Sequence, residues 1–142
     1  MVGRAAILQR LEAFGGLAAA DGVGLHVYRP FHKDTAPSPE DTAPILAAEL
    51  APCGTPTAAG KPCWITEFGS GLQSDSCPSN DNRRARQIDV FFDEVSRLRT
   101  HAIAGAFYYD WDQGRPWAVF RCGKVTEAGR TLVRWSRRLE GL

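Results

Sequence analysis

Short β-type runs alternate with helix-length segments along this chain, and that alternation leaves few architectures open to it. The runs are "GVGLHVY" at 22–28, "CWITEF" at 63–68 and "AIAGAFYYDW" at 102–111. Helical spacing surrounds them: Ile7, Leu8, Leu11 and Phe14 before Gly15-Gly16; Ile45, Leu46 and Leu50, with Ser38 or Thr42 able to cap; Ile88, Phe91, Phe92, Val95 and Leu98. A last helix is expected from about Thr126, with Leu132, Trp135 and Leu139 inward. Strands separated by helical crossovers form a parallel sheet of right-handed βαβ units. Such strands expect cover on both faces, and the helices here can supply one. The expectation is therefore an α/β chain that is part of a larger architecture, one segment over residues 1–142, with long loops following its strands.

Charge and composition exclude several classes. With 17 basic against 16 acidic residues the formal charge is +1, so no broad field draws nucleic acid or an anionic membrane. No apolar run approaches the roughly 20 residues that span a bilayer, and Arg10 and Glu12 interrupt the first helix, unlike a signal-peptide core. Cys53, Cys63, Cys77 and Cys122 contain no C-x-x-C pair, and their even number tilts toward an oxidising, secreted or periplasmic setting. His26, His32 and His101 share no ligand spacing, so neither metal nor cofactor is expected. The basic groups Arg83, Arg84, Arg86 and Arg130, Arg134, Arg137, Arg138 read as solvated helix surface. "FGSG" at 68–71 lacks the spacing of a nucleophile elbow.

The strand ends carry the chemistry. Strict alternation sends Glu67, Ile65 and Cys63 to one face of the second strand and Trp64, Thr66 and Phe68 to the other. A carboxylate at the tip of an apolar strand is partly desolvated yet reachable, as a nucleophile or acid/base group requires. His26 and Tyr28 share a face of the first strand; Phe107, Tyr109 and Trp111 share one on the third, opposite Tyr108 and Asp110. Polar and aromatic groups at all three ends suit the gripping of a sugar ring.

Taken together, "GLHVY", "PCWITEFG" and "GAFYYDWD" resemble the last three strands of a retaining glycoside hydrolase of the large (β/α)8 clan that includes the family 5 cellulases and mannanases. The resemblance covers nearly the whole chain and is most specific at "WITEFG". It implies a C-terminal segment of a (β/α)8 barrel, strands six to eight, acting on O-glycosidic bonds of poly- or oligosaccharides. Glu67 would be the nucleophile, Tyr28 would hold its carboxylate, and His26 would contact the sugar or the second carboxylate. Trp111, or Tyr109 in a slipped register, would stack on the ring.

One departure bears on activity. Retaining hydrolysis needs a second carboxyl group roughly 5 Å from the first; in that clan it is the glutamate of an Asn-Glu pair ending strand four, and no Asn-Glu occurs here. Asp75, Asp110 and Asp112 read as solvated loop or turn residues. The expected partners are a carbohydrate substrate and either the missing N-terminal barrel part or further copies of the chain. A non-catalytic carbohydrate-binding segment and an assembly-dependent half-barrel stand as alternatives. In this layout Cys77 and Cys122 fall at the catalytic end and Cys53 and Cys63 toward the opposite end, which favours the pairs Cys77–Cys122 and Cys53–Cys63.

Overall fold

The structure, a computed structural model, describes residues 4–31, 38–54, 60–71, 81–97, 103–111 and 117–140. Three parallel strands, β1 (Val23–Val27), β2 (Cys63–Phe68) and β3 (Ile103–Tyr108), form one sheet in that order. Helices α1 (Arg4–Ala13), α2 (Pro39–Leu50), α3 (Asn82–Arg97) and α4 (Glu127–Glu140) alternate with them. Sequence order equals sheet order, as consecutive βαβ units require.

Local chemistry sets the helix limits. Ser38, rather than Thr42, caps α2: its hydroxyl accepts from the Asp41 N–H at 3.1 Å, and Glu40 and Asp41 lie in the first turn, where the helix dipole favours negative charge. Thr42 is instead buried within the helix. The end of α1 is closed by bonds from Gly16 N–H to the Leu11 carbonyl and Gly15 N–H to the Glu12 carbonyl, with Gly15 at φ 73°.

Val23, Leu25, Val27, Cys63, Ile65 and Phe68 form one face of the sheet and are buried against Leu46, Leu50, Ile88, Phe91 and Phe92. Phe68 is the centre of this core, stacked on Phe91 at 4.0 Å between ring centroids and edge-on to Phe92 and Tyr108. The opposite face is open: His26 is exposed, and Trp64 and Phe107 lie stacked at 6.2 Å, both exposed. Among the described residues the helices thus cover one face only, as expected. On α1 only Leu8 of the apolar set is buried; Ile7 and Leu11 are exposed and Phe14 is 89% exposed. Leu139, expected inward, is also exposed, while Trp135 stacks on Phe92. Leu98 lies outside the described residues.

Three features depart from the alternation read in the sequence. First, β1 and β2 slip register between Leu25 and His26, so that Leu25 pairs with Ile65 but His26 with Glu67. The extra residue, Thr66, is a bulge. It turns Glu67 onto the open face and Phe68 into the core, reversing the faces expected for both. Second, the turn-rich stretch after β3 contains a hairpin of β4 (Phe120–Arg121) and β5 (Lys124–Val125). Its two-residue turn has φ 54° at Cys122 and 74° at Gly123, the pair of positive angles that a tight hairpin demands.

Third, Arg84 is not solvated surface: it is 0% exposed. It lies four residues before Ile88 and seven before Phe91, on the apolar stripe of α3, which turns it inward. Its Nε lies 3.2 Å from Asp81 Oδ1, and its Nη2 donates to the Ala118 carbonyl at 2.9 Å. Arg83 is half-buried, whereas Arg86, Arg130, Arg134, Arg137 and Arg138 do lie on exposed helix surface, Arg130 beside Glu127 and Arg134 beside Asp89.

Cys53 and Cys63 form a disulfide with Cα atoms 5.8 Å apart, as the barrel layout favoured. Cys122 is also disulfide-bonded; Cys77, its expected partner, lies outside the described residues. Among the described residues no helix is long and apolar enough to cross a membrane, and no group of three or more His, Cys, Asp or Glu could hold a metal ion. His32 and His101 lie outside them.

Candidate functional site

Two adjacent parallel strands bring Tyr28, His26 and Glu67 together at their C-terminal ends. Tyr28 follows β1 directly, so it continues the open face that begins at Gly24 and His26. The bulge at Thr66 delivers Glu67 to the same face. The Tyr28 hydroxyl donates to Glu67 Oε2 at 2.6 Å, a charge-assisted geometry for a phenol and a carboxylate. His26 Nδ1 lies 3.4 Å from the same oxygen. The Glu67 side chain is 36% exposed, so an incoming group can reach it.

Burial first, and the adjoining Glu67 carboxylate second, hold the Tyr28 phenol well above its ordinary range. Tyr28 therefore stays protonated and continues to donate through the neutral range. Tyr108 is likewise pushed up, chiefly by burial, with Arg84 opposing. For both groups the folded pKa exceeds the unfolded value, near 10. Their stabilisation is thus fully present below about pH 10 and is lost as pH rises above it. Alkaline titration followed by circular dichroism should show unfolding setting in above about pH 10, and Tyr28→Phe should make that alkaline loss shallower.

The segment after Glu67 is tied to the end of β3. Tyr109 N–H donates to the Phe68 carbonyl at 2.7 Å, and the Tyr108 hydroxyl donates to the Ser70 carbonyl at 3.3 Å. A Cβ at position 69 would stand 2.4 Å from the Tyr109 carbonyl oxygen, so only glycine admits this approach. The Arg83 guanidinium donates to the Gly71 carbonyl.

The third strand contributes less directly. The Tyr109 ring lies 6.2 Å from that of Trp117. The Tyr109–Asp110 peptide is cis, and the Asp110 carbonyl accepts from Val119 N–H. Trp111 is 63% exposed and parallel to Phe120, with ring centroids 6.0 Å apart. A broad, exposed indole backed by a second ring can receive the face of a sugar. Asp110 is half-buried; Asp75 and Asp112 lie outside the described residues.

Sequence reasoning missed Arg84, Asp81 and Tyr108 as a buried polar group behind this site. The available signal was the spacing of Arg84 with Ile88 and Phe91.

No protein-family profile matches the sequence, and no curated protein matches it. Solved structures do match. A b-glucuronidase from Ruminococcus gnavus in complex with D-glucuronic acid superposes with a TM-score of 0.60 at 15% identity, over 84% of this chain and 23% of that one. The same enzyme in complex with uronic deoxynojirimycin gives 0.58 at 16%, again over 84% and 23%. The chain therefore spans about a quarter of the length of the proteins it matches. The likeness establishes the fold: three parallel βα units corresponding to part of a glycoside-hydrolase (β/α)8 barrel.

Proposed function

We propose that this chain is the nucleophile-bearing C-terminal segment of a retaining glycoside hydrolase, of the kind found in the clan of family 5 cellulases and mannanases. The observation that carries the reading is the 2.6 Å contact from the Tyr28 hydroxyl to Glu67 Oε2, at the ends of adjacent parallel strands. In barrels of this type, chemistry is built at that end. A single domain segment over residues 1–142 is part of the same reading.

Glu67 is the attacking group. One carboxylate oxygen bonds to the anomeric carbon, the bond from that carbon to the leaving oxygen breaks, and a covalent glycosyl-enzyme forms. Tyr28 donates to Oε2, which fixes the orientation of the carboxylate. His26 stands beside the same oxygen, placed to meet a sugar hydroxyl. Trp111, with Tyr109 near it in sequence, supplies the stacking surface. The proton for the leaving oxygen must come from a second carboxyl group outside these residues, from the remaining part of a barrel. The substrate is an oligo- or polysaccharide; the ligands of the matched structures make glucuronides one class to include. The Cys53–Cys63 disulfide favours an oxidising compartment outside the cytoplasm.

The test is labelling with 2-deoxy-2-fluoro glycosides carrying an activated leaving group, which departs with little acid assistance and so isolates the nucleophile from the absent acid. Gluco, manno and glucurono forms make up the panel. The expected result is a single adduct, mapped by mass spectrometry to Glu67 and absent in Glu67→Gln. No adduct in protein shown to be folded by circular dichroism would defeat the reading and leave a segment without nucleophilic activity.

A further inference from the structure

A fully buried guanidinium behind a candidate site invites the question of what it holds. Arg84 faces a carboxylate three residues before it and reaches two segments that are distant in sequence. Its Nε faces Asp81, its Nη2 donates to the Ala118 carbonyl at 2.9 Å, and its charge acts on the Tyr108 phenol. From Tyr108 the path continues to the Ser70 carbonyl, three residues after Glu67. From Ala118 it continues through the next residue: Val119 N–H donates at 3.0 Å to the carbonyl of Asp110, which precedes Trp111. Tyr109 N–H closes the circuit on the Phe68 carbonyl.

We propose that Arg84 is a positioning residue for the site, holding the strand end that bears Glu67 in fixed relation to the segment that bears Trp111. A guanidinium is suited to this because its charge and its donors lie in one rigid plane, so that it faces the Asp81 carboxylate and donates to the Ala118 carbonyl while acting electrostatically on the Tyr108 phenol. An ammonium or an apolar side chain on the same stripe could fill the space but could not bridge the three. Asp81 offsets the buried charge and also accepts from the Ala128 N–H at 3.1 Å, which anchors the start of α4 to the same group. The bearing of this device on catalysis rests on the role proposed for Glu67; the Tyr28–Glu67 contact by which it is tested does not.

The experiment is NMR of the full chain labelled at tyrosine 13Cζ, at neutral pH. There are three tyrosines, Tyr28, Tyr108 and Tyr109, assignable by single Phe replacements. The Tyr28 13Cζ resonance lies downfield while its hydroxyl donates to a carboxylate, and Glu67→Ala gives its position when that contact is lost. Two variants release the clamp: Tyr108→Phe, which removes only a hydroxyl, and Asp81→Asn with Arg84→Met, which removes both buried charges. Leu50→Ala, in the core at the end of α2, serves as a control of lowered stability.

The expected result is that both release variants move Tyr28 at least halfway to its position in Glu67→Ala, while Leu50→Ala leaves it at the wild-type value. If the double variant does not fold, Tyr108→Phe decides alone. A Tyr28 resonance unmoved in folded Tyr108→Phe would overturn the proposal, as would an equal movement in Leu50→Ala. A shifted Tyr28 together with no sugar adduct on wild-type Glu67 would keep the positioning role and remove the catalytic reading.

Discussion

Asp81→Ala is expected to cost this fold about 3–5 kcal/mol, because it removes one member of a buried ion pair. The two charged groups face each other at 3.2 Å, with side-chain exposures of 4% for Asp81 and 0% for Arg84. Water therefore cannot replace the lost carboxylate. The same substitution removes the acceptor for Ala128 N–H at the start of α4, and losing a helix-end acceptor costs about 1 kcal/mol in its own right. Total stabilities of natural domains run to about 5–15 kcal/mol, so the variant stands near the edge of folding. Thermal unfolding followed by circular dichroism should show a fall on the order of 10 °C or more. Asp81→Asn should fall less, since it retains an oxygen at the helix start. Replacing both members, Asp81→Asn with Arg84→Met, should be milder than the sum of the separate losses, because no charge is then stranded. Additive losses would show that the pair is not coupled.

Phe68→Ala is the second large effect, again about 3–5 kcal/mol, from deletion of an aromatic ring at the centre of the core. Phe68 is 1% exposed and lies face to face with Phe91 at 4.0 Å. Phe92 and Tyr108 close the other sides. The resulting void is enclosed by rigid rings and cannot readily collapse, which places the cost toward the upper part of that range. Urea denaturation should show a lower midpoint with little change in slope, the mark of lost stability rather than altered compactness. Phe68→Leu, which keeps most of the volume, should recover more than half of the loss. Phe68 also follows Glu67 directly, so the ring anchors the residue on which the proposed chemistry depends. A Phe68→Ala protein that remains folded should lose sugar labelling at Glu67 more steeply than its stability loss explains. Labelling in proportion to the folded fraction would separate core from site.

How much was legible in the sequence can be judged residue by residue. Helical spacing of Ile88, Phe91 and Phe92 marked α3, and these three are buried as expected, although Arg84, Gln87 and Glu94 are buried with them. The three apolar runs marked β1, β2 and β3, and their alternation with helices implied parallel order without any knowledge of contacts. The family resemblance paired Tyr28 with the Glu67 carboxylate, and the structure joins them through one hydrogen bond. The cysteine pair at 53 and 63 came from the barrel layout and is formed.

What local pattern could not supply is anything set by a neighbour distant in sequence. Strict alternation put Glu67 beside Ile65 and Phe68 opposite them; the bulge at Thr66 reversed both. That bulge is decided by pairing with β1, where the Thr66 hydroxyl donates to the Leu25 carbonyl across 41 positions. A period-two rule has no access to such a partner. Arg84 was assigned to water because arginines on helices usually face it, whereas Asp81, Tyr108 and Ala118 together make the buried position tolerable. Local pattern alone settled the order of the main elements, the apolar residues that α3 turns inward and the residue types at the strand ends. That Glu67 meets Tyr28, and that a charge stands behind them, was settled on folding, because both depend on hydrogen bonds between strands and helices that the chain brings together only then.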